Sequence, residues 1–365
     1  MRSLAVLLLL MASLLPPIET SAQTGSLMLA PAKDSLSRLF ASITSFRELS
    51  TDQVLISDHI DNVLVVADFR SGADKMIGRV GSGPGEYRLA GPLFALAADS
   101  TLFVDGLNGR WLLLAGATFV AVVPPSDPAL QAAGLSIHGT DGRGRILSQQ
   151  PLPGELLPKG RRRTSARLVR VDRRTWKVDS LAKLRGAEWM IQSAGTAASG
   201  QVRGSSVIFS VAEQGVLFAD GWVAVARQSP YRVDWIMPSG RHILGAPIPW
   251  TAPRVTDSEK KAWRDRSEQR SGRSVDPSAF SWADEVPPFA ANGLLATPGG
   301  QLLLLRPQWS GSRGTEYDII DRTGARSGTL RLRDTERIVG FGAGWVYVAA
   351  TDDDGMQRLR RHPWA

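Results

Sequence analysis

The chain has 365 residues, of which 43% are hydrophobic and 21% charged, and its formal net charge is +8. This proportion of apolar residues can fill a large core and excludes an intrinsically disordered chain. The sequence has no cysteine, which excludes disulfides, thiolate metal sites and lipid attachment through an N-terminal cysteine. Glycine and proline are plentiful, as expected for a fold with many turns.

Residues 1–22 predict a cleaved secretory signal peptide. Arg2 gives a positive start, residues 4–15 are an apolar run, and Thr20 and Ala22 occupy the −3 and −1 positions of a cleavage site. The run is shorter than a membrane span of about 20 residues, and no later stretch approaches that length. We therefore expect an exported bacterial protein, periplasmic or extracellular, with no membrane span after cleavage. An uncleaved N-terminal anchor is the alternative.

The positive charge leaves two interpretations open. A basic exterior favours acidic polysaccharides, anionic lipid headgroups or nucleic acid, whereas an arginine-rich composition also arises without any specific anionic ligand. Because export separates the protein from nucleic acid, we expect no nucleic-acid partner. A protein, an anionic glycan or a small molecule remains as the expected partner.

Short strands separated by tight turns recur along the chain, most clearly over residues 81–114. Leu93 to Ala97, Leu102 to Val104, Arg110 to Leu114 and Thr118 to Val123 are apolar strands with turns between them. Four such strands over ~35 residues predict one antiparallel blade of a β-propeller. Weaker copies fill the rest of the chain at about 50 residues each, so the sequence predicts an all-β, six-bladed β-propeller of four-stranded blades. A propeller of five or seven blades is the alternative.

One segment carries a family resemblance. Gly81-Ser82-Gly83-Pro84-Gly85-Glu86-Tyr87, followed by Pro92, Asp99, Phe103-Val104-Asp105 and Asn108-x-Arg110, resembles an NHL repeat. It is similar to repeats of bacterial six-bladed β-propellers of the NHL-repeat/TolB-like class. The resemblance implies the propeller fold and says little about function.

The predicted organisation places the propeller at residues 47–365. Residues 23–46 form an N-terminal segment that can add a ring-closing strand. Three inserts interrupt the blades, a basic loop at 159–166, a segment rich in small residues at 186–206, and residues 251–288. Within the last, Thr256 or Asp257 can cap a helix that ends near Gly272. Long inserts usually project from one face and often form its binding surface.

Sequence motifs give no positive sign of catalysis. A phosphate-binding loop at 81–87 would need a helix after it, which Pro92 prevents. Asp58, His59 and Asp61 could ligate a metal, but aspartates in turns usually bond their own backbone. Asp-Gly at 354–355 is typical of a hairpin turn and lacks the pattern of an EF-hand. No cofactor is predicted, although Ca²⁺ or another divalent cation remains possible.

Tryptophan near the inserts suggests a binding surface, because exposed indoles beside arginine bind sugars and anions. The alternative is that these indoles anchor the inserts by packing. We expect an exported scaffold that binds a ligand or partner protein through the loops of one face. The competing functions are a metal-dependent hydrolase or lactonase, with acidic ligands at the central funnel as in lactonases of the regucalcin type, and a structural subunit of an envelope complex. The candidate binding residues are Trp189, Trp263, Trp282, Trp309 and Arg162.

Cleavage after Ala22 is directly testable. Mass spectrometry of the exported protein should find an N-terminus at Gln23, because the apolar run and the small-residue exit match what signal peptidase recognises. An exported form that begins at Met1 would overturn the signal-peptide prediction.

Overall fold

A computed structural model describes residues 25–49, 52–123, 136–192, 203–271, 273–312 and 314–364. The predicted signal peptide lies outside these ranges. The described residues are mostly β-strand and contain one α-helix, so the all-β prediction is confirmed. Among these residues no helix is long and apolar enough to cross a membrane.

Six sheets of four or more strands follow one another along the described chain. Sheet 1 contains β3 (Ile43–Glu48), β4 (Gln53–Asp58), β5 (Val63–Asp68) and β6 (Asp74–Met76). Sheet 2 contains β9 (Leu93–Ala95), β10 (Ser100–Asp105), β11 (Arg110–Ala115) and β12 (Thr118–Val123). Sheet 3 contains β13 (Ser136–Thr140), β14 (Arg145–Leu157), β15 (Arg161–Asp172), β16 (Val178–Gln192), β17 (Arg203–Ile208) and β22 (Ser281–Trp282).

The second half of the chain repeats this plan. Sheet 4 contains β18 (Gln214–Leu217), β19 (Val223–Gln228), β20 (Tyr231–Ile236) and β21 (His242–Ile243). Sheet 5 contains β23 (Leu294–Ala296), β24 (Leu302–Leu305), β25 (Thr315–Ile320), β26 (Arg326–Leu332) and β1 (Ser26–Met28). Sheet 6 contains β27 (Glu336–Gly342), β28 (Trp345–Thr351), β29 (Gln357–Pro363) and β2 (Asp34–Phe40).

The remaining elements lie in the segments of chain that connect the sheets. The two-stranded pair of β7 (Arg79–Val80) and β8 (Glu86–Tyr87) lies between sheets 1 and 2. The helix α1 (Asp257–Ser271) and two 3₁₀ turns complete the described elements, the turns being Gly106–Asn108 and Pro277–Ala279.

Each buried cluster joins two consecutive sheets. In sheet 5, Leu302 and Leu304 pack against sheet 4, whereas Leu303 packs against sheet 6. The alternation follows from the strand, in which successive side chains point to opposite faces. Central strands therefore read as continuous apolar runs, such as Leu302–Leu305, because both of their faces are buried.

The series of sheets closes on itself. Val54 and Val65 of sheet 1 share a core cluster with Tyr347 and Leu359 of sheet 6. A closed cycle of antiparallel sheets, each packed on the next, is the arrangement of a β-propeller. The predicted propeller class is therefore supported by the packing of the described residues.

The N-terminal segment participates in this closure. Strand β2 pairs antiparallel with β29, so residues near the start of the described chain supply the outer strand of sheet 6. Arg361 of β29 donates to Asp34 of β2 at 2.6 Å and to Asp52 at 3.2 Å. Its guanidinium also lies over the rings of Phe69 and Trp345, at 4.9 and 4.6 Å from their centroids. Arg361 thus connects sheet 1, sheet 6 and β2.

Predicted turns and loops differ in their outcomes. The glycines of the turns at Ala115-Gly116, Ser239-Gly240 and Thr323-Gly324 all have positive φ, as such hairpins require. The basic loop predicted at 159–166 is wrong, because residues 161–166 begin strand β15 and only a tight turn precedes them. Arg161, Arg162 and Arg163 each pair with a residue of β14 and a residue of β16, so the arginines lie in a sheet, whose register shifts between Arg163 and Ser165.

Replacing Arg361 tests the closure. Arg361→Ala should lower the free energy of unfolding by about 2–3 kcal/mol, because it leaves Asp34 without its charged donor, removes one of the two arginines that pair with Asp52, and removes a stacked guanidinium. Arg143→Ala is the control, since Arg143 is exposed on a turn. Urea unfolding of both variants measures the difference, and equal stability of the two would contradict this role of Arg361.

Candidate functional site

The third sheet extends beyond its neighbours. Strands β14, β15 and β16 have 13, 12 and 15 residues, whereas the corresponding strands β10 and β19 have six each. The additional length includes two of the predicted inserts, at 159–166 and the start of 186–206. The extension is a continuation of the sheet, and we refer to residues 151–166 and 185–192 as the extension.

One face of the extension is exposed and carries a row of directly paired residues. Arg162 pairs with Leu156 on one side and with Trp189 on the other. Leu156 is 76% exposed, Trp189 is 42% exposed, and Arg162 is also exposed. Directly opposed residues share a face of the sheet, so the three side chains form one surface, here called the exposed row.

The other face of the extension is partly covered. Arg161 and Arg163 flank Arg162 and point the opposite way, where both pair with Glu188, at 3.3 and 2.6 Å. The Arg161 Nη2 also donates to the carbonyl oxygen of Trp282 at 2.9 Å. Strand β22, which contains Trp282, pairs in parallel with β17, so the segment after sheet 4 lies against the extension.

Trp263 and Trp282 lie together in an aromatic cluster. Trp263 of α1 meets Trp282 edge-on, with ring centroids 5.3 Å apart, and Phe280 at 5.0 Å. Phe209 lies 6.2 Å from Trp282, whose Nε1 donates to the carbonyl oxygen of Pro277 at 3.1 Å. These contacts fasten α1 to β22, in the way expected of packing anchors.

The helix α1 begins with one half of a capping box. The carboxylate of Glu259, three residues after Thr256, accepts the Thr256 backbone N–H at 3.0 Å. Glu259 is only 4% exposed, and its carboxylate also accepts hydrogen bonds from the hydroxyl groups of Thr256 and Ser310. The hydrogen bonds from Ser310 and Thr256 lower the pKa of Glu259 to about 2.

The same contacts fix a loop of sheet 5. Ser310 lies in the segment between β24 and β25, and Arg266 of α1 donates to the Gln308 carbonyl oxygen there at 2.9 Å. This loop and the connector after sheet 4 border a cavity of about 250 Å³. Its polar and aromatic lining includes Trp250, Trp309, Arg306 and Glu316.

The structure therefore divides the predicted binding residues among three places. Trp189 and Arg162 are paired in the exposed row, Trp263 and Trp282 share the packed cluster, and Trp309 lines the cavity. Sequence reasoning missed Leu156, Arg306 and Glu316 as members of these surfaces. Leu156 has no sequence signal beyond its nearness to the predicted insert at 159–166, and Arg306 and Glu316 lie outside every predicted insert.

The candidate metal ligands at 58–61 form a turn. One carboxylate oxygen of Asp58 accepts the backbone N–H groups of Ile60 and Asp61, at 3.0 and 3.1 Å. Across the ranges that the structure describes, no group of three or more His, Asp or Glu side chains is placed to hold a metal ion.

Comparison with known proteins gives only distant structural likenesses. No protein-family model matches the chain, and no curated protein matches it. Virginiamycin B lyase from Staphylococcus aureus is 10% identical over 91% of this chain and 98% of its own, with a TM-score of 0.44. A calcium-binding protein, regucalcin, from Agrobacterium tumefaciens is 9% identical over 93% and 96%, at 0.40. A luciferin-regenerating enzyme is 10% identical over 91% and 93%, at 0.35.

Those TM-scores are all below 0.5, so the likenesses carry no argument about activity. The structural class of the chain follows from its own pairing and packing. It is an all-β protein of the propeller class.

Protonation of Glu259 should loosen α1. A carboxylate with a lowered folded-state pKa stabilises the fold above its ordinary pKa of 4.5, and this stabilisation is lost as the pH falls towards about 2. Glu259→Gln should therefore cost about 2 kcal/mol at pH 7. The difference from the wild type should shrink between pH 4.5 and 2.

Urea unfolding at a series of pH values measures this difference. Asp257→Asn, at an exposed position of the same helix turn, is the control. A difference between Glu259→Gln and wild type that does not change with pH would contradict the assignment.

Proposed function

We propose that this protein is an exported, six-bladed β-propeller that binds an acidic surface of a partner protein through the exposed row. The observation that carries the proposal is the direct pairing of Leu156, Arg162 and Trp189, three exposed side chains of the extension. An apolar, a cationic and an aromatic side chain thus present one surface on three paired strands.

The chemistry of the row suits a protein partner. Tryptophan and arginine are enriched among the residues that dominate binding at protein interfaces. Each has a large contact area, and Arg162 can make a bidentate pair with a carboxylate. Because the strands of the extension are braced from behind by Arg161, Arg163 and Glu188, little backbone order has to be gained on binding.

Charge favours an acidic partner. Within the described residues Arg162 makes no ion pair or hydrogen bond, whereas its neighbours Arg161 and Arg163 are both paired with Glu188. The chain carries a formal charge of +8, which would draw an acidic protein towards it. An unpaired exposed guanidinium can then form its ion pair across the interface.

The other parts of the proposal have separate support. Six sheets in a closed cycle support six blades. The NHL-like segment is supported by its own contacts, since Arg110 donates to carbonyl oxygens of Gly83 and Glu86. Export is supported by the signal-like sequence of residues 1–22.

Photo-crosslinking in intact cells tests the partner surface. A photoreactive amino acid at position 189 should crosslink to one acidic protein, identified by mass spectrometry, because Trp189 lies in the exposed row. The same amino acid at position 174, an exposed turn at the other end of sheet 3, is the matched control. Arg162→Glu should reduce the yield from position 189 at least tenfold, since it replaces attraction by repulsion.

Two results would reject this function. One is an equal yield from positions 189 and 174. The other is a yield from position 189 that Arg162→Glu leaves unchanged. Thermal unfolding of Arg162→Glu should match the wild type, because Arg162 is exposed, and this comparison separates a binding defect from a folding defect.

A further inference from the structure

A second surface of sheet 3 carries exposed cations on two paired strands. Arg167 of β15 is directly opposite Lys183 of β16, and Arg185 lies two residues after Lys183 on the same strand. All three side chains are exposed. No register shift falls between Ser165 and Leu168, so the pairing is regular here. The three cations therefore share one face of the sheet.

This face is not the face of the exposed row. Along β15, Arg162 and Arg167 are separated by an odd number of residues, so their side chains point to opposite sides of the sheet. Arg167 instead shares its side with Val169, which packs in the core cluster between sheets 2 and 3. The cations therefore lie just beyond that cluster, where the long strands of sheet 3 continue and their side chains reach solvent.

Uncharged polar side chains complete this surface. Gln150 of β14 is directly opposite Arg167, and Ser165 is directly opposite Arg185. We refer to Gln150, Ser165, Arg167, Lys183 and Arg185 as the basic grid. Its members come from three adjacent strands, and none of them is acidic or apolar.

The charges of the grid are not balanced from within. Among the described residues, its three cations form no ion pair and no side-chain hydrogen bond. Arg161 and Arg163, farther along the same face, are both paired with Glu188. Like charges directly opposed on two strands destabilise a sheet, and residues that break a local rule in this way are typical of functional sites. The grid therefore has the character of a site whose anions come from a ligand.

We propose that the basic grid binds an anionic polysaccharide. The two guanidinium groups and the ammonium group can each pair with an acidic group of such a chain, the guanidinium groups in bidentate fashion. Gln150 and Ser165 add neutral donors and acceptors for the sugar hydroxyls.

The composition of the grid disfavours two other anionic partners. Stable attachment to a lipid surface requires an inserted apolar group besides basic residues, and the grid has none. Protein interfaces are dominated by buried aromatic and apolar anchors together with arginine, and these anchors are found in the exposed row and not in the grid.

Titration of the intact protein with polygalacturonate, which carries a carboxylate on each sugar, tests the proposal. Neutral dextran, polyglutamate with the same number of carboxylates, and phosphatidylglycerol vesicles are the comparison probes. At an ionic strength of about 0.15 M, where charges more than about 8 Å apart are largely screened, polygalacturonate should bind saturably. Each comparison probe should bind about fivefold more weakly or less, a difference of about 1 kcal/mol. Absence of saturable polygalacturonate binding would overturn the proposal, as would equally tight binding of any comparison probe.

Two triple variants of equal net charge locate the binding. They are Arg167→Gln/Lys183→Gln/Arg185→Gln in the grid and Lys75→Gln/Arg88→Gln/Arg143→Gln at exposed cations elsewhere. The grid variant should weaken polygalacturonate binding about tenfold or more, because it removes the paired charges. The control variant should change the affinity by less than about twofold, since its cations are dispersed. Equal weakening by the two variants would show attraction by net charge alone and would reject the grid.

A charge reversal inside the grid links binding to stability. Lys183→Glu places a carboxylate directly opposite Arg167, so it should raise the midpoint of thermal unfolding while weakening polygalacturonate binding. Unchanged affinity, or a midpoint at or below that of the wild type, would contradict the proposal. Arg162→Glu, on the opposite face, should leave polygalacturonate affinity unchanged, so failure of this proposal is distinguishable from failure of partner binding through the exposed row.

Discussion

Burial of both faces of every central strand is the constraint on which the rest of the molecule depends. Leu302, Leu303 and Leu304 are consecutive and all fully buried, yet they belong to two different clusters because the strand alternates between its neighbours. A sheet with two apolar faces needs a neighbour on each side. Sheet 1 gains its second neighbour only when sheet 6 packs against it. Packing of sheet 6 on sheet 1 therefore completes the core. The extension continues one sheet of this core, and α1 lies in a segment that connects two others.

Buried polar groups hold neighbouring sheets in fixed relation, which apolar packing alone leaves less defined. The Tyr231 hydroxyl of sheet 4 donates to Asp318 of sheet 5 at 3.0 Å, and the Tyr317 hydroxyl accepts the N–H of Ile338 in sheet 6 at 3.1 Å. Burial raises the pKa of both phenols, and the nearby Asp318 adds to this for Tyr231. Both hydroxyls therefore keep their protons. A hydrogen bond restricts the position of a sheet more sharply than a non-directional contact does.

Local patterns predicted local structure well. The turns and strands of residues 93–123 were readable because each strand pairs with its neighbour in sequence, and α1 was readable because Thr256, of a residue type that caps helices, directly precedes it. The extension was not readable, because Arg161 and Arg163 resemble a basic loop until Glu188, more than twenty residues away, is placed beside them. The cavity was missed for the same reason, since its walls come from segments before and after α1.

The short parallel pairing of β17 with β22 has a mechanical consequence. Adjacent blades of a repeat fold are ordinarily joined by their shared core and by one connecting segment. Here the connector that leaves sheet 4 returns to sheet 3 at Val207 and Ile208 before it continues to sheet 5. The connector therefore joins sheets 3 and 4 a second time, because it follows sheet 4 in the chain and pairs with a strand of sheet 3. Parting those two sheets thus requires breaking backbone pairs as well as the Leu147–Val223 cluster. The seam that bears the protruding extension is thereby reinforced against the forces that a bound partner would exert on it.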